Sequence, residues 1–290
     1  MDRWVCTLMA SGLLLAGPAV SLAQGRQLDL TIEAPPSLTA AADRVRNIDR
    51  RQMSAAFARA GLDLPPQVRI ALVPEDDLRA RATPGWIVGR AYGAHDVVIF
   101  PDRVGAYPYG SLESVVWHEV VHLALSAQAG GQPLPRWFHE GVAISVEEGW
   151  GLSGRARLIL ATIAAPDLAG LGRLFASNAQ HDTATAYLLA AALVADVRRR
   201  HGAATPGAIV DLVARGTPFV RAFEMRTGVT PDQAAARTWA LYRRWTSWIP
   251  VLTSGSTVWL GIMALSLLAF IATLRRRAAH RRRWGHEEME

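Results

Sequence analysis

Two segments of this chain carry side chains that could bind a metal ion and activate water. The first is His118-Glu119-Val120-Val121-His122, and the second is Pro135-Arg136-Trp137-Phe138-His139-Glu140-Gly141-Val142-Ala143. On an α-helix, positions i and i+4 lie one turn apart on one face, so His118 and His122 project together. Both imidazoles can then reach one divalent ion at ~2.0–2.1 Å per nitrogen. Glu119 sits beside that pair, where a carboxylate can take a proton from an attacking water. A catalytic zinc site also needs a third protein ligand and an open position. Glu140 and its neighbour His139 both have suitable chemistry, but about 100° of helix rotation separates them, so one faces the metal and the other does not.

The elements that must position these groups are readable around them. Val115, Val116, Val120, Val121, Leu123 and Leu125 make the first helix apolar and therefore buried, and Glu113 suits the dipole at its start. Gly130-Gly131 and Pro133 break the chain ahead of the second helix, allowing it to pack back. Gly141, with no side chain, would permit close approach of the two helices. A metzincin arrangement would need Gly and His further along the first helix, and Leu125 and Gln128 stand there instead. One turn past Glu140 lies Ile144; Glu147, two turns on, is the nearest carboxylate that could support a ligating histidine from behind.

The rest of the chain predicts an α+β fold, with a small mixed sheet first and a helical half afterwards. Leu28–Glu33, Val68–Val73, Trp86–Ala91 and Val97–Phe100 read as strands, the last two joined by a turn around Gly93. Val97–Phe100 is either an interior strand or an edge to which an extended peptide could add. Ala40–Ala60 reads as one amphipathic helix stopped by Gly61. Beyond Pro108 helices are expected at Ser111–Gln128, Leu134–Glu147, Arg155–Ala164, Thr183–Arg200, Ala208–Arg215, Pro218–Thr227 and Pro231–Trp248. Gly149–Gly154 and Ser177–Asp182 read as loops.

The two ends differ from this middle. An apolar stretch after Arg3, closed by Ser21-Leu22-Ala23, matches a secretory signal over residues 1–23. A charge-free run over 251–274 is long enough to cross ~30 Å of hydrocarbon as a helix. Trp245 and Trp248 precede it, and Arg275–Arg277 and Arg281–Arg283 follow it, so the 275–290 tail is expected on the cytoplasmic side. The exported domain then spans 27–247, facing the periplasm of a bacterial inner membrane. All 31 basic residues are Arg and the net charge is +6, yet the excess crowds into the tail with no basic stripe interleaved with aromatics, which argues against a nucleic-acid partner. The single cysteine, Cys6, lies within the signal, so the mature protein would have no thiol ligand and a metal site must use nitrogen and oxygen.

At its two metal segments the chain resembles the gluzincin zinc peptidases, specifically the peptidase MA-like bacterial domains. The likeness continues through Ala186-Tyr187, His201-Gly202, Phe219–Phe223, Thr227-Gly228 and Trp239, and covers about Val68 to Trp245. The resemblance implies Zn²⁺ held by His118, His122 and Glu140, with Glu119 as the catalytic base and peptides or proteins as substrates. It also implies that the Tyr187 helix packs beside the site, making Tyr187 the candidate donor to the reaction oxyanion, with His181 on its loop as a second possibility. The expected activity is hydrolysis of peptide bonds by a membrane-anchored zinc metallopeptidase. A different class of function, a non-catalytic metal-stabilised module that binds or assembles envelope proteins, would not need Glu119.

Overall fold

The computed structural model describes residues 28–105, 110–146, 161, 165–177, 179–246, 259, 262–273 and 275. Its first part is a four-stranded sheet: β1 (Asp29–Glu33), β2 (Gln67–Leu72), β3 (Gly89–Tyr92) and β4 (Asp96–Ile99), in the spatial order β1-β2-β4-β3. The first three neighbours run parallel, pairing Leu30 with Val68 and Ile70 with Val97, and β3 closes back antiparallel on β4 with Ala91 opposite Val97. The Val97–Phe100 segment is therefore flanked on both sides, and the edge strands are β1 and β3. Its β-branched run suits that interior place, whereas β3 is short and carries Gly89 and Arg90.

Helices α1 (Thr39–Arg46) and α2 (Arg50–Ala60) connect β1 to β2. The single helix expected there is split because Asp49 caps the second piece, its side chain accepting from the amides of Arg51 and Gln52. Gly61 ends α2 in the left-handed region at φ 70°, as anticipated. A short α3 (Leu78–Arg81) precedes β3. The loop between them is held by one side chain: the Arg103 guanidinium donates to the carbonyls of Ala80 (2.8 Å), Pro84 (3.0 Å) and Ile87 (3.0 Å) and to both carboxylate oxygens of Glu75.

The helical part begins with α4 (Leu112–Gln128), followed by α5 (Arg136–Val146), α6 (Leu168–Ala176), α7 (Gln180–His201), α8 (Thr205–Ala214), α9 (Phe219–Thr227) and α10 (Pro231–Thr246). Ser111 and Ser114 close a reciprocal capping box at the start of α4. Glu113 does more there than face the dipole: it forms a two-pronged bond with Arg44 of α1 at 2.9 and 2.7 Å, and these hydrogen bonds hold its carboxyl down at about 2. Two elements differ from expectation. Helix α6 was not legible through its glycines and is started by Asp167, which accepts from the Gly170 amide; α7 begins at Gln180, inside the stretch read as a loop.

Gly141 serves a different contact from the expected one. A Cβ there would lie 2.5 Å from the Ala190 carbonyl oxygen and 2.6 Å from Val194 Cγ2, both on α7. The glycine thus lets α5 lie against α7, and the α4 face of α5 is left for Glu140. Because one obstacle is backbone, Gly141→Ala is expected to destabilise the fold by about 1–3 kcal/mol, read as a lower midpoint in urea unfolding. An unchanged midpoint would show that the two helices are not packed this closely.

The Glu147 candidate, the Gly149–Gly154 loop, the 1–23 signal and all of the Arg155–Ala164 helix except residue 161 lie outside the described residues. Of the apolar run over 251–274, residues 262–273 are helical, with Leu265, Leu268 and Phe270 exposed. Among the described residues no helix is long and apolar enough to cross a membrane.

Candidate metal centre

Helix α4 is buried along most of its length, and its apolar residues Val115, Val116, Val120, Val121 and Leu125 are fully enclosed. That packing fixes the one face on which His118 and His122 stand. Their Nε2 atoms are 3.0 Å apart. Glu140 comes from α5 and points its Oε2 at both rings, 3.2 Å from His118 Nε2 and 3.4 Å from His122 Nε2. In a tetrahedral site with bonds of ~2.0–2.1 Å, neighbouring ligand atoms stand ~3.3 Å apart, so all three separations are those of ligands around one ion. The three residues form a group able to hold a metal ion. Two imidazole nitrogens so close, with a carboxylate oxygen against both, need a proton or a cation between them, and the nitrogen and oxygen donors suit zinc among other divalent ions.

Of the two neighbours, it is Glu140 that faces the paired Nε2 atoms. His139 stands behind His122, with Nδ1 3.4 Å from His122 Nδ1, on the ring edge opposite the one that faces Glu140. It is the support from behind that a ligating histidine commonly has, and a hydrogen bond there fixes which His122 nitrogen is left to bind metal. Burial, then the neighbouring His122, lowers the His139 pKa to about 4, so the ring is neutral at ordinary pH.

The electrostatics of the metal-free site follow from the crowding. Burial disfavours a charged Glu140, but the two imidazoles outweigh it and hold the carboxyl far below its usual range. His122 is pushed up: burial opposes its charged form, and the Glu140 carboxylate overcomes that. Glu119 moves the other way, raised chiefly by burial. Its carboxylate lies against β3, where it accepts from the Ala91 amide. Gly89 makes room for it, since a Cβ at that position would stand 2.8 Å from Glu119 Oε1 and 2.8 Å from Val115 Cγ1.

These groups open on a cavity of about 500 Å³. One wall is the loop and edge strand from Trp86 to Ala91, held by Arg103; the other is α5 with Thr183, Ala184 and Tyr187 of α7. Tyr187 lies within the third turn of its helix, its ring 6.3 Å from that of His118 and 5.5 Å from Phe175. Burial, followed by the nearby Glu140, raises its pKa, so the phenol keeps its proton. His181 is in the first turn of α7, exposed, and does not line the cavity.

Three contributors escaped the sequence: Gly89, the Ala91 amide and Arg136. The first two sit on a strand far from α4 in sequence, and no local pattern points to them. Arg136 had a usable signal, since it precedes Glu140 by one helical turn and so shares its face.

No protein-family model matches the chain, and no curated protein is significantly similar to it. The likeness to gluzincin peptidases therefore rests on the quoted residues.

Proposed function

We propose that this protein is a zinc-dependent peptidase. The observation that carries the reading is the convergence of His118, His122 and Glu140 at tetrahedral spacing beside a fourth group, the Glu119 carboxylate, in a cavity lined by a sheet edge. A structural metal site has no use for that fourth group. When bound, a zinc ion would polarise a peptide carbonyl and acidify water.

The residues then divide the work. Glu119, raised by burial yet anchored by the Ala91 amide, takes a proton from the attacking water and returns it to the leaving amine. His139 keeps His122 oriented. Tyr187, with its proton retained, is the donor for the oxyanion that forms on the carbonyl. The β3 edge offers main-chain groups to an extended peptide, which would lie alongside Gly89–Tyr92. We further read the domain as exported to the periplasm and tethered by the 251–274 segment to the bacterial inner membrane, with the arginine-rich tail inside.

The direct test is incubation of the zinc-loaded full chain with a mixture of quenched fluorescent peptides, with mass spectrometry of the products. Cleavage that a chelator abolishes and zinc restores supports the reading. Zinc binding without cleavage of any peptide would instead favour a metal-stabilised binding module.

The Gly89 contact supplies a second test. A methyl at this position collides with Glu119 and with the buried Val115 side chain. Gly89→Ala should therefore retain zinc, melt at a lower temperature because of the Val115 clash, and lose turnover by about ten- to a hundredfold, the scale of a displaced catalytic group. Full activity in this variant would mean that the base does not act from the position described.

A further inference from the structure

The cavity has an unbalanced charge. Its fixed charges come from Glu119, Glu140, Arg90 and Arg136. A divalent ion is matched by the two carboxylates, with the imidazoles neutral as ligands. The two guanidinium groups then leave the lining with a net positive charge.

Arg136 is the better placed of the two. Its guanidinium lies over the Phe175 ring at 4.9 Å, and Nη1 donates to the Phe175 carbonyl oxygen at 2.8 Å. It also donates to the Tyr187 hydroxyl. The Glu140 Oε1 atom is 3.6 Å from Nε, close enough for attraction but too long for a hydrogen bond. The side chain remains about half exposed, at 49%. A guanidinium has five N–H groups in a rigid fork, more than these neighbours take up. It is thus an arginine immobilised by stacking and a carbonyl, with donors to spare, one helical turn from a metal ligand. Immobilisation before binding removes the entropy cost that weakens most exposed arginine pairs. Arg90, exposed beside Tyr92 at 5.7 Å, adds positive potential at the cavity lip.

We propose that Arg136 is a specificity-determining residue that binds a carboxylate, so that the site takes peptides bearing a carboxylate close to the bond to be cut. This rests on the peptidase reading above. The carboxylate can be the chain terminus or an acidic side chain, and the chemistry at Arg136 is the same for both.

The experiment uses the full chain as the zinc-loaded Glu119→Gln variant, which holds peptide without consuming it. Three short fluorescein-labelled peptides of one core sequence are titrated by anisotropy: one with an internal Glu and an amidated end, one with Gln and a free C-terminus, and one with Gln and an amidated end. One of the two carboxylate-bearing peptides should bind about ten- to a hundredfold tighter than the neutral peptide, the scale of hydrogen bonds to a charged group. Which of them does so identifies the source. Adding Arg136→Gln should erase the preference and leave zinc affinity, measured against a chromogenic chelator, within a few-fold. Should that variant misfold, Arg136→Lys keeps the charge without the fork and should still lose most of the preference.

Equal or absent binding of the three peptides overturns the proposal, as does a preference that survives Arg136→Gln. Loss of zinc in Arg136→Gln also overturns it, because Arg136 would then serve to position Glu140. Cleavage by the Glu119-containing protein with no carboxylate preference sinks this inference alone. Carboxylate-dependent binding without any cleavage sinks the peptidase reading and leaves the subsite standing.

Discussion

Glu119→Gln protein is expected to bind zinc as tightly as its parent, fold at least as stably, and cleave peptides about 10²–10⁴-fold more slowly, the range for loss of a general acid–base group. Each part follows from where the side chain sits. Glu119 is buried, with 3% exposure, and is not one of the three residues grouped closely enough to share an ion, so its replacement removes none of the proposed ligands. Gln has the same shape, and its amide oxygen can still accept from the Ala91 N–H. Removing a carboxylate whose charged form is disfavoured by burial costs the fold nothing and can stabilise it. What Gln cannot do is accept a proton. Single-turnover cleavage and zinc content measured on one preparation separate the two effects. Cleavage within a few-fold of the parent rate would remove Glu119 from the chemistry. Loss of zinc would mean that its carboxylate reaches the ion.

The second large effect is expected from Glu140→Ala. Its Oε2 stands against both imidazoles, at 3.2 and 3.4 Å, and the one other carboxylate among the residues that line the cavity is the proposed base, Glu119. Removing a supporting contact behind a metal ligand commonly costs 10–100-fold in affinity, so removing a ligand should cost more than about a hundredfold. Zinc dissociation constants from chelator competition check this, and so does the stabilisation on adding zinc, which grows with the logarithm of ligand concentration over dissociation constant.

The pH dependence has a definite sign. In the metal-free protein the pKa of His122 is raised above its ordinary value of 6.5 by Glu140. The protonated pair therefore stabilises the metal-free fold below that value, and the contribution fades as pH rises through the raised one. Zinc takes the same lone pairs, so its affinity should climb over that same interval as the competing proton leaves. Glu140→Ala should flatten the low-pH stabilisation along with the metal response. His139→Ala should weaken zinc by the smaller factor of a supporting contact. If His139→Ala abolishes binding and Glu140→Ala does not, the third ligand has been assigned to the wrong neighbour.

Much of this site is local and was therefore legible. The i, i+4 spacing of His118 and His122 puts two imidazoles on one face of any helix that includes them, whatever packs around it. The apolar run that buries α4 and the Gly130-Gly131 break are likewise settled within a few residues. The strand positions near 29–33, 67–72 and 96–99 were readable from alternation and β-branching. The order of those strands was not: whether Val97–Phe100 is an edge depends on a pairing with Gln67–Leu72 across more than twenty residues of chain. Splitting of the first helix at Asp49 turned on a cap competing with helical periodicity, and the cap prevailed.

By itself, then, the sequence determined the chemical types at the centre, namely two imidazoles, two candidate third ligands and a neighbouring carboxylate, because each follows from helical geometry over one or two turns. Tertiary structure alone decided which candidate faces the two imidazoles. Gly141 admits α7 against one side of α5, and that contact turns Glu140 toward α4 and leaves His139 behind His122. It also brought Gly89 and the Ala91 amide to Glu119, and Phe175 to Arg136. These partners are distant in sequence, and their meeting is set by how whole helices and the sheet pack, which no short-range pattern encodes.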